Sequence, residues 1–296
     1  MQVKALILTT RLPFLILTPV CVFLGVSTSM AVGTPIDMGL LILILFGALS
    51  AHISVNTLNE YTDFKSGLDI ITQKTAFSGG SGALPNSPDT ANATLLLGII
   101  TLVLAISIGL YLSFERGASI LPIGIMGVFL VVTYTKWLNR YPIICMIAPG
   151  LGFGVFMVVG THLILSGAYS NLAWMISLVP FLLINNLLLL NQYPDVEADR
   201  TIGRRTFPIS FGFSGSNIVY AFSFTITYLL VLFYILEGFI PSLSYIAIVP
   251  VLFSVTALLG ACRTKSRVGN YPVVLASNVA AAVLTPLLLA ISIIYG

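Results

Sequence analysis

Nine stretches of this chain stay apolar for about twenty residues at a time, near 12 to 32, 38 to 58, 92 to 113, 118 to 135, 143 to 166, 172 to 190, 216 to 236, 243 to 261 and 272 to 295. That is the length a helix needs to cross the hydrocarbon of a bilayer. Inside lipid every backbone polar group must find a partner, which a helix provides within itself. The chain is therefore read as an all-α, polytopic membrane protein of about nine transmembrane helices, one domain over residues 1–296. Charged residues make up 8% of the 296 and apolar ones 57%, which leaves no room for a sizeable soluble domain. The net charge of +3 does not point to nucleic acid, because that needs a basic stripe on a soluble face. The first run follows Arg11 and outlasts the short core of a signal peptide, so it is read as a retained helix.

Loop charges orient the helices. Twelve of the 13 basic residues fall at the amino terminus or in the loops after the second, fourth, sixth and eighth runs, and Arg116 alone lies on the other face. The positive-inside rule then puts the amino terminus and those loops in the cytoplasm. Seven of the ten acidic residues share that face, in two long loops. Three cysteines (Cys21, Cys145 and Cys262) stand singly in apolar runs and read as core. With only His52 and His162 available, a histidine-ligated zinc or iron centre is not expected and any metal must be held mainly by oxygen. His52 itself reads as a hydrogen-bonded helix contact.

The second acidic loop runs Asn191-Gln-Tyr-Pro-Asp195-Val-Glu-Ala-Asp199-Arg-Thr-Ile-Gly-Arg204-Arg205-Thr206. Residues four and eight apart share one helix face, so Asn191, Asp195 and Asp199 are expected to project together. Pro194 is expected to kink this helix or mark its beginning. Asn185 and Asn186 carry the polarity back into the membrane. The first loop repeats the pattern with Asn59 and Asp63, while Asp69 joins them only if the helix ends near Gly67 and the chain turns back. Two unneutralised carboxylate clusters repel unless a divalent cation lies between them. Flanked by Lys74, Lys136, Arg204 and Arg205, they suit a diphosphate bridged to Mg²⁺, leaving from an apolar carbon chain. Phe153, Phe156 and Tyr193 are expected to line the apolar cavity such a chain requires. Ser78-Gly-Gly-Ser-Gly82 reads as a lid over it, and Gly150, Gly152 and Gly154 as close helix packing.

Asn59-Glu-Tyr-x-Asp63-x5-Asp69 and Asn191-x3-Asp195-x3-Asp199-x3-Gly203-Arg-Arg-Thr206 resemble the two aspartate-rich motifs of the UbiA superfamily of intramembrane prenyltransferases, closest to its 1,4-dihydroxy-2-naphthoate branch. The resemblance implies helices around a central cavity open to the cytoplasmic side, and transfer of a polyprenyl group from its diphosphate to a small aromatic or lipid acceptor. It also implies that Asn59, Asp63, Asp69, Asn191, Asp195 and Asp199 hold Mg²⁺ and diphosphate. Tyr134 and Lys136 match a Tyr and Lys that would contact diphosphate and shield the allylic cation. Glu60 departs from the family, which usually has Asp there. The rival readings are an acceptor-free cyclase of the same superfamily and a secondary transporter.

Overall fold

A computed structural model describes residues 2–72, 74–75 and 77–296. Among them there is no strand, and fourteen α-helices follow one another: α1 (Gln2–Thr9), α2 (Leu17–Ala31), α3 (Met38–Lys65), α4 (Leu68–Ile71), α5 (Ala83–Asn86), α6 (Ala91–Arg116), α7 (Leu121–Thr133), α8 (Pro142–Pro149), α9 (Val158–Ser166), α10 (Asn171–Asn191), α11 (Val196–Thr201), α12 (Phe207–Leu236), α13 (Val251–Thr264) and α14 (Pro272–Tyr295). Eight helical segments among the described residues are long and apolar enough to cross a membrane. The expected fourth span differs: Ala118–Thr133 is apolar but belongs to the shorter class of 10–17 residues. Proline at the start of α7, α8, α12 and α14 fits the first turn, where a missing amide hydrogen costs nothing.

Packing follows the small and polar residues, as it must where lipid competes for every apolar contact. Helices α3 and α6 pair along their length, α2 lies against α9 and α14, and α10 against α12 and α14. Between α8 and α9 the chain widens into a π-helix, Gly150–Met157, packed on α10. A Cβ on Gly150 would lie 2.3 Å from the Phe181 carbonyl oxygen and one on Gly154 would lie 2.3 Å from the Phe181 nitrogen. Only glycine allows these backbones to approach so closely, which is the packing role expected of both.

Buried amides tie the central helices together. Asn186 Nδ2 donates to the Tyr220 carbonyl (2.9 Å), the Tyr220 hydroxyl to Asn278 Oδ1 (2.8 Å), and Asn278 Nδ2 to the Asn186 carbonyl (3.2 Å). Asn185 Oδ1 accepts from the Gly150 amide at 2.7 Å. Asn185 and Asn186 thus bind helix to helix and do not extend the polar site, correcting the sequence reading. Arg116 has a local task too: its Nε and Nη2 donate to the Ile164 and Leu165 carbonyls at 2.8 and 2.6 Å, satisfying the open end of α9. Cys21 and Cys145 are buried as expected, whereas Cys262 is exposed, a correction to its reading as core.

Candidate active site

One cavity of about 420 Å³ runs down the inside of the bundle. Along α3 its wall is formed by Ile44, Gly47, Ala48, Ala51, His52, Val55, Asn56, Asn59 and Asp63, the 3.6-residue stripe of one helix face. From Asp63 to Ile44 the helix rises about 28 Å at 1.5 Å per residue. The cavity is thus charged at one end and apolar for most of its depth. Phe153 and Phe156 line it as expected, but Tyr193 does not: its hydroxyl donates to Asn217 Oδ1 at 2.8 Å and its ring packs edge-on against Phe213. His52 lines the wall and its Nδ1 is 2.8 Å from Thr18 Oγ1, the helix contact expected of it.

Both acidic motifs meet at the charged end. Helix α3 ends at Lys65, Gly67 takes φ +79°, and α4 starts at Leu68. This reversal, which a side chain other than glycine would resist, returns Asp69 to the cavity beside Asn59 and Asp63. The second motif is built differently from the single helix face expected. Helix α10 stops at Asn191, and Asp195 precedes a new helix, α11. Pro194, without an amide hydrogen, sits in the break. Asn191, Asp195 and Asp199 nevertheless all line the cavity, two of them from α11 and its start.

Arg204 joins the motifs. It pairs with Asp63 on one side and with Asp199 on the other, Nη1 to Oδ1 at 2.9 Å. Burial would lower its pKa, but these two carboxylates overcome that and raise it, so the guanidinium is a fixed positive charge between the clusters. Arg204 Nε and Thr206 Oγ1, both buried, have no partner among the described residues and face the same cavity. The acidic side is also left open: Asp69 Oδ2, Asn191 Oδ1 and Asp195 Oδ1 are buried without a hydrogen bond. Burial, followed by the Glu60 and Asp63 carboxylates, pushes the Asp69 carboxyl up to about 7. Burial and then Asp199 push Asp195 up to about 7. Burial also raises Asp199, against the pull of Arg204.

Among the described residues no three carboxylates or imidazoles form a ready-made metal cluster. The unpartnered oxygens are instead shared between two walls, which fits Mg²⁺, an ion that takes one or two carboxylates and completes its shell with water and substrate phosphate.

The remaining expected cations lie outside the cavity wall. Lys136 is exposed, two residues beyond Tyr134, and its ammonium lies 5.9 Å from the Trp137 ring centre. Arg205 is exposed and contributes its backbone amide to the Asn139 carbonyl at 2.9 Å. Lys74 is exposed and donates to the Ser81 carbonyl. All three are exposed residues of the surface. Tyr134 does line the cavity. Arg11, which sequence reasoning passed over as a topology charge, lines it as well.

Glu60 is turned away from the cavity. It is fully buried and accepts from Arg11 Nε at 2.7 Å, from the Ser81 amide at 2.8 Å and from Ser81 Oγ at 2.5 Å. Beside Arg11, its partner is Ser81 of the glycine-rich segment, whose Gly79 amide donates to Asp195 Oδ2 at 3.3 Å. Ser78-Gly79-Gly80 lines the charged end of the cavity, fastened to the first motif through Glu60 and to the second through Asp195.

Known proteins are similar to this chain in sequence and in fold. A 1,4-dihydroxy-2-naphthoate octaprenyltransferase of Bacillus subtilis (strain 168) is 28% identical over 213 residues, which is 69% of this chain and 65% of that protein, a little less than two thirds of its length. The fold is similar to that of a digeranylgeranylglyceryl phosphate synthase (TM-score 0.69, 17% identity, 99% of each chain). It is also similar to that of a UbiA homologue from Archaeoglobus fulgidus bound to DMAPP and Mg²⁺ (TM-score 0.63, 16% identity, 95% of this chain and 98% of that one). The family model for UbiA prenyltransferases matches residues 17–278, and with helices, cavity and paired acidic motifs all in place the chain belongs to the UbiA prenyltransferase family.

Proposed function

We propose that this protein transfers a polyprenyl group from an allylic diphosphate to an aromatic acceptor, in a Mg²⁺-dependent reaction, with 1,4-dihydroxy-2-naphthoate as the acceptor. The observation that carries this reading is the convergence of two acidic motifs, about 130 residues apart in sequence, on the charged end of one deep apolar cavity. The curated relative supports the acceptor, and the Archaeoglobus fulgidus neighbour supports the ion and the diphosphate.

In this reading Asn59, Asp63, Asp69, Asn191, Asp195 and Asp199 hold the metal and the diphosphate, and the apolar wall holds the prenyl tail. Bound Mg²⁺ supplies the positive charge that makes diphosphate a good leaving group. Arg204, with its free Nε, and Thr206 donate to phosphate oxygens. Lys74, Lys136 and Arg205 add positive potential around the mouth, and Tyr134 faces the carbon that loses the diphosphate. The C–O bond breaks with its electron pair leaving on diphosphate. An electron-rich carbon of the acceptor forms the new C–C bond, then loses the proton or carboxyl group it carried. The glycine-rich segment keeps water from the allylic cation. In this reading the amino terminus and the mouth face the cytoplasm, which the distribution of basic loop residues supports, and membrane lipid surrounds the bundle.

The test is diphosphate release from geranylgeranyl diphosphate by the purified protein, with Mg²⁺ or a chelator, and with or without the naphthoate. Release that needs both ion and acceptor is expected. Release without acceptor would mean cyclisation or hydrolysis, and accumulation of solute in sealed vesicles without chemical change would mean transport.

A further inference from the structure

Gln192 has no part in the scheme above, yet it stands at the charged end of the cavity next to Asn191. Its amide is half used. Nε2 donates to Cys145 Sγ at 3.6 Å, and that thiol in turn lies 3.9 Å from the Tyr134 hydroxyl, to which it donates. Oε1 is buried with no partner among the described residues. A buried amide oxygen left without a donor is costly, so such atoms are ordinarily met by a ligand or a bound water. The backbone does not need this side chain, since the Gln192 amide is already bonded to the Leu188 carbonyl at 3.2 Å.

Chemistry narrows the occupant. What meets Oε1 must donate to it, and diphosphate oxygens only accept; they would face Oε1 acceptor to acceptor, even though Nε2 gives Cys145 just one of its two hydrogens. The prenyl tail has no donor at all. A ring hydroxyl does, and an acceptor ring must lie at this depth, beside the diphosphate motif, for its carbon to reach the carbon that loses the diphosphate. We propose that Gln192 Oε1, oriented by the Cys145–Tyr134 pair, accepts a hydrogen bond from a hydroxyl of the aromatic acceptor and selects hydroxylated arenes over their ethers. This rests on the acceptor being a hydroxylated arene, as in the function proposed above. A site built to bond a substrate hydroxyl discriminates strongly against analogues that lack it.

The experiment is steady-state kinetics of the full-length protein in lipid nanodiscs, with geranylgeranyl diphosphate and either 1,4-dihydroxy-2-naphthoate or its ring methyl ethers. Gln192→Leu keeps the bulk and removes the oxygen, and Gln192→Glu keeps an accepting oxygen. For Gln192→Leu the expected result is a rise of about ten- to thirtyfold in acceptor KM, the loss of one such bond. The KM for geranylgeranyl diphosphate and the half-saturating Mg²⁺ should stay unchanged. One methyl ether should be as poor with the wild-type protein as the free hydroxyl is with Gln192→Leu, with no further loss when the two are combined. Gln192→Glu should retain discrimination against that ether.

A shift in the diphosphate or Mg²⁺ constants instead would make Gln192 a partner of metal-bound water and overturn the proposal. Unchanged constants for Gln192→Leu would make it a brace for Cys145 alone and overturn it equally. If wild-type protein releases diphosphate only with a non-aromatic acceptor, it is the proposed function that fails, which the wild-type control reveals before any variant is compared.

Discussion

Ser81→Ala removes one of the two hydrogen bonds that fasten the glycine-rich segment to Glu60 and leaves the other, from the Ser81 amide, in place along with the Arg11 bond to the same carboxylate. The lost bond is a hydroxyl to a carboxylate at 2.5 Å, on a side chain that is fully buried. Hydrogen bonds to charged groups contribute about 1.5–3 kcal/mol. Every 1.4 kcal/mol is a factor of ten, so local opening of residues 77–82 should become about ten- to a hundredfold more frequent. Hydrogen exchange is the direct assay. The Gly79 amide, held by Asp195, and the Ser81 amide, held by Glu60, should both exchange faster by that factor, while amides in the middle of α10 should not change. Because Gly79 also positions Asp195, the KM for the prenyl diphosphate should rise with the exchange rate. Unchanged exchange at both amides would show that Glu60 does not fasten this segment, and the account of why it points away from the cavity would be wrong.

Arg204→Gln should strand Asp63 and Asp199 as buried, uncompensated charges, at a cost of about 3–5 kcal/mol; thermal unfolding of the metal-free protein should show it as a lower Tm, partly recovered with Mg²⁺. Half-saturating Mg²⁺ should fall as pH rises from about 6 to 8 and level off above, because Asp69 and Asp195, pushed up to about 7, must release protons to take the ion. Without metal the same shifts act on folding: both carboxyls would ionise near 4 in the unfolded chain, so stability should decline as pH rises from there through about 7, and a flat profile would contradict it. Gly124 lines the cavity, and a Cβ there would meet no atom within 4 Å. Gly124→Leu should therefore fill tail space and lower the preference for geranylgeranyl over farnesyl diphosphate by about tenfold, read from competition between the two.

Most of the helical plan is written in the apolar runs, because a span through lipid admits few alternatives to a helix. The acidic motifs are legible too, since carboxylates gathered at one membrane face without paired lysines ask for a counter-ion. Directions of side chains around those residues are not. Glu60 carries the same charge as Asp63, and only the packing of Ser81 and Arg11 around it shows that it serves the loop. Arg11 could be counted by the positive-inside rule, which says which face it occupies and nothing about its partner. Asn185, Asn186 and Asn191 look alike along α10, yet the first two meet Gly150 and Tyr220 while Asn191 faces the cavity. Lys136 stands out as a flanking cation and by its match to a family Lys, but the turn after α7 sends it to the surface. Gln192 carried no signal, because a lone glutamine gains meaning only when one end of its amide is found occupied and the other empty.

The shortness of the Ala118–Thr133 segment ties this protein to the thickness of its membrane. Its α-helical part, α7, has 13 residues, about 20 Å at 1.5 Å per residue, against a hydrocarbon layer of about 30 Å. Such a helix is accommodated by local thinning of the bilayer, at a cost that grows with each ångström of mismatch. The same helix supplies Ile123, Gly124, Gly127, Val128, Leu130 and Val131 to the cavity wall. Strain from a thicker bilayer falls on the wall that encloses the tail, so acyl-chain length in the surrounding lipid becomes a determinant of how readily long substrates are held and released.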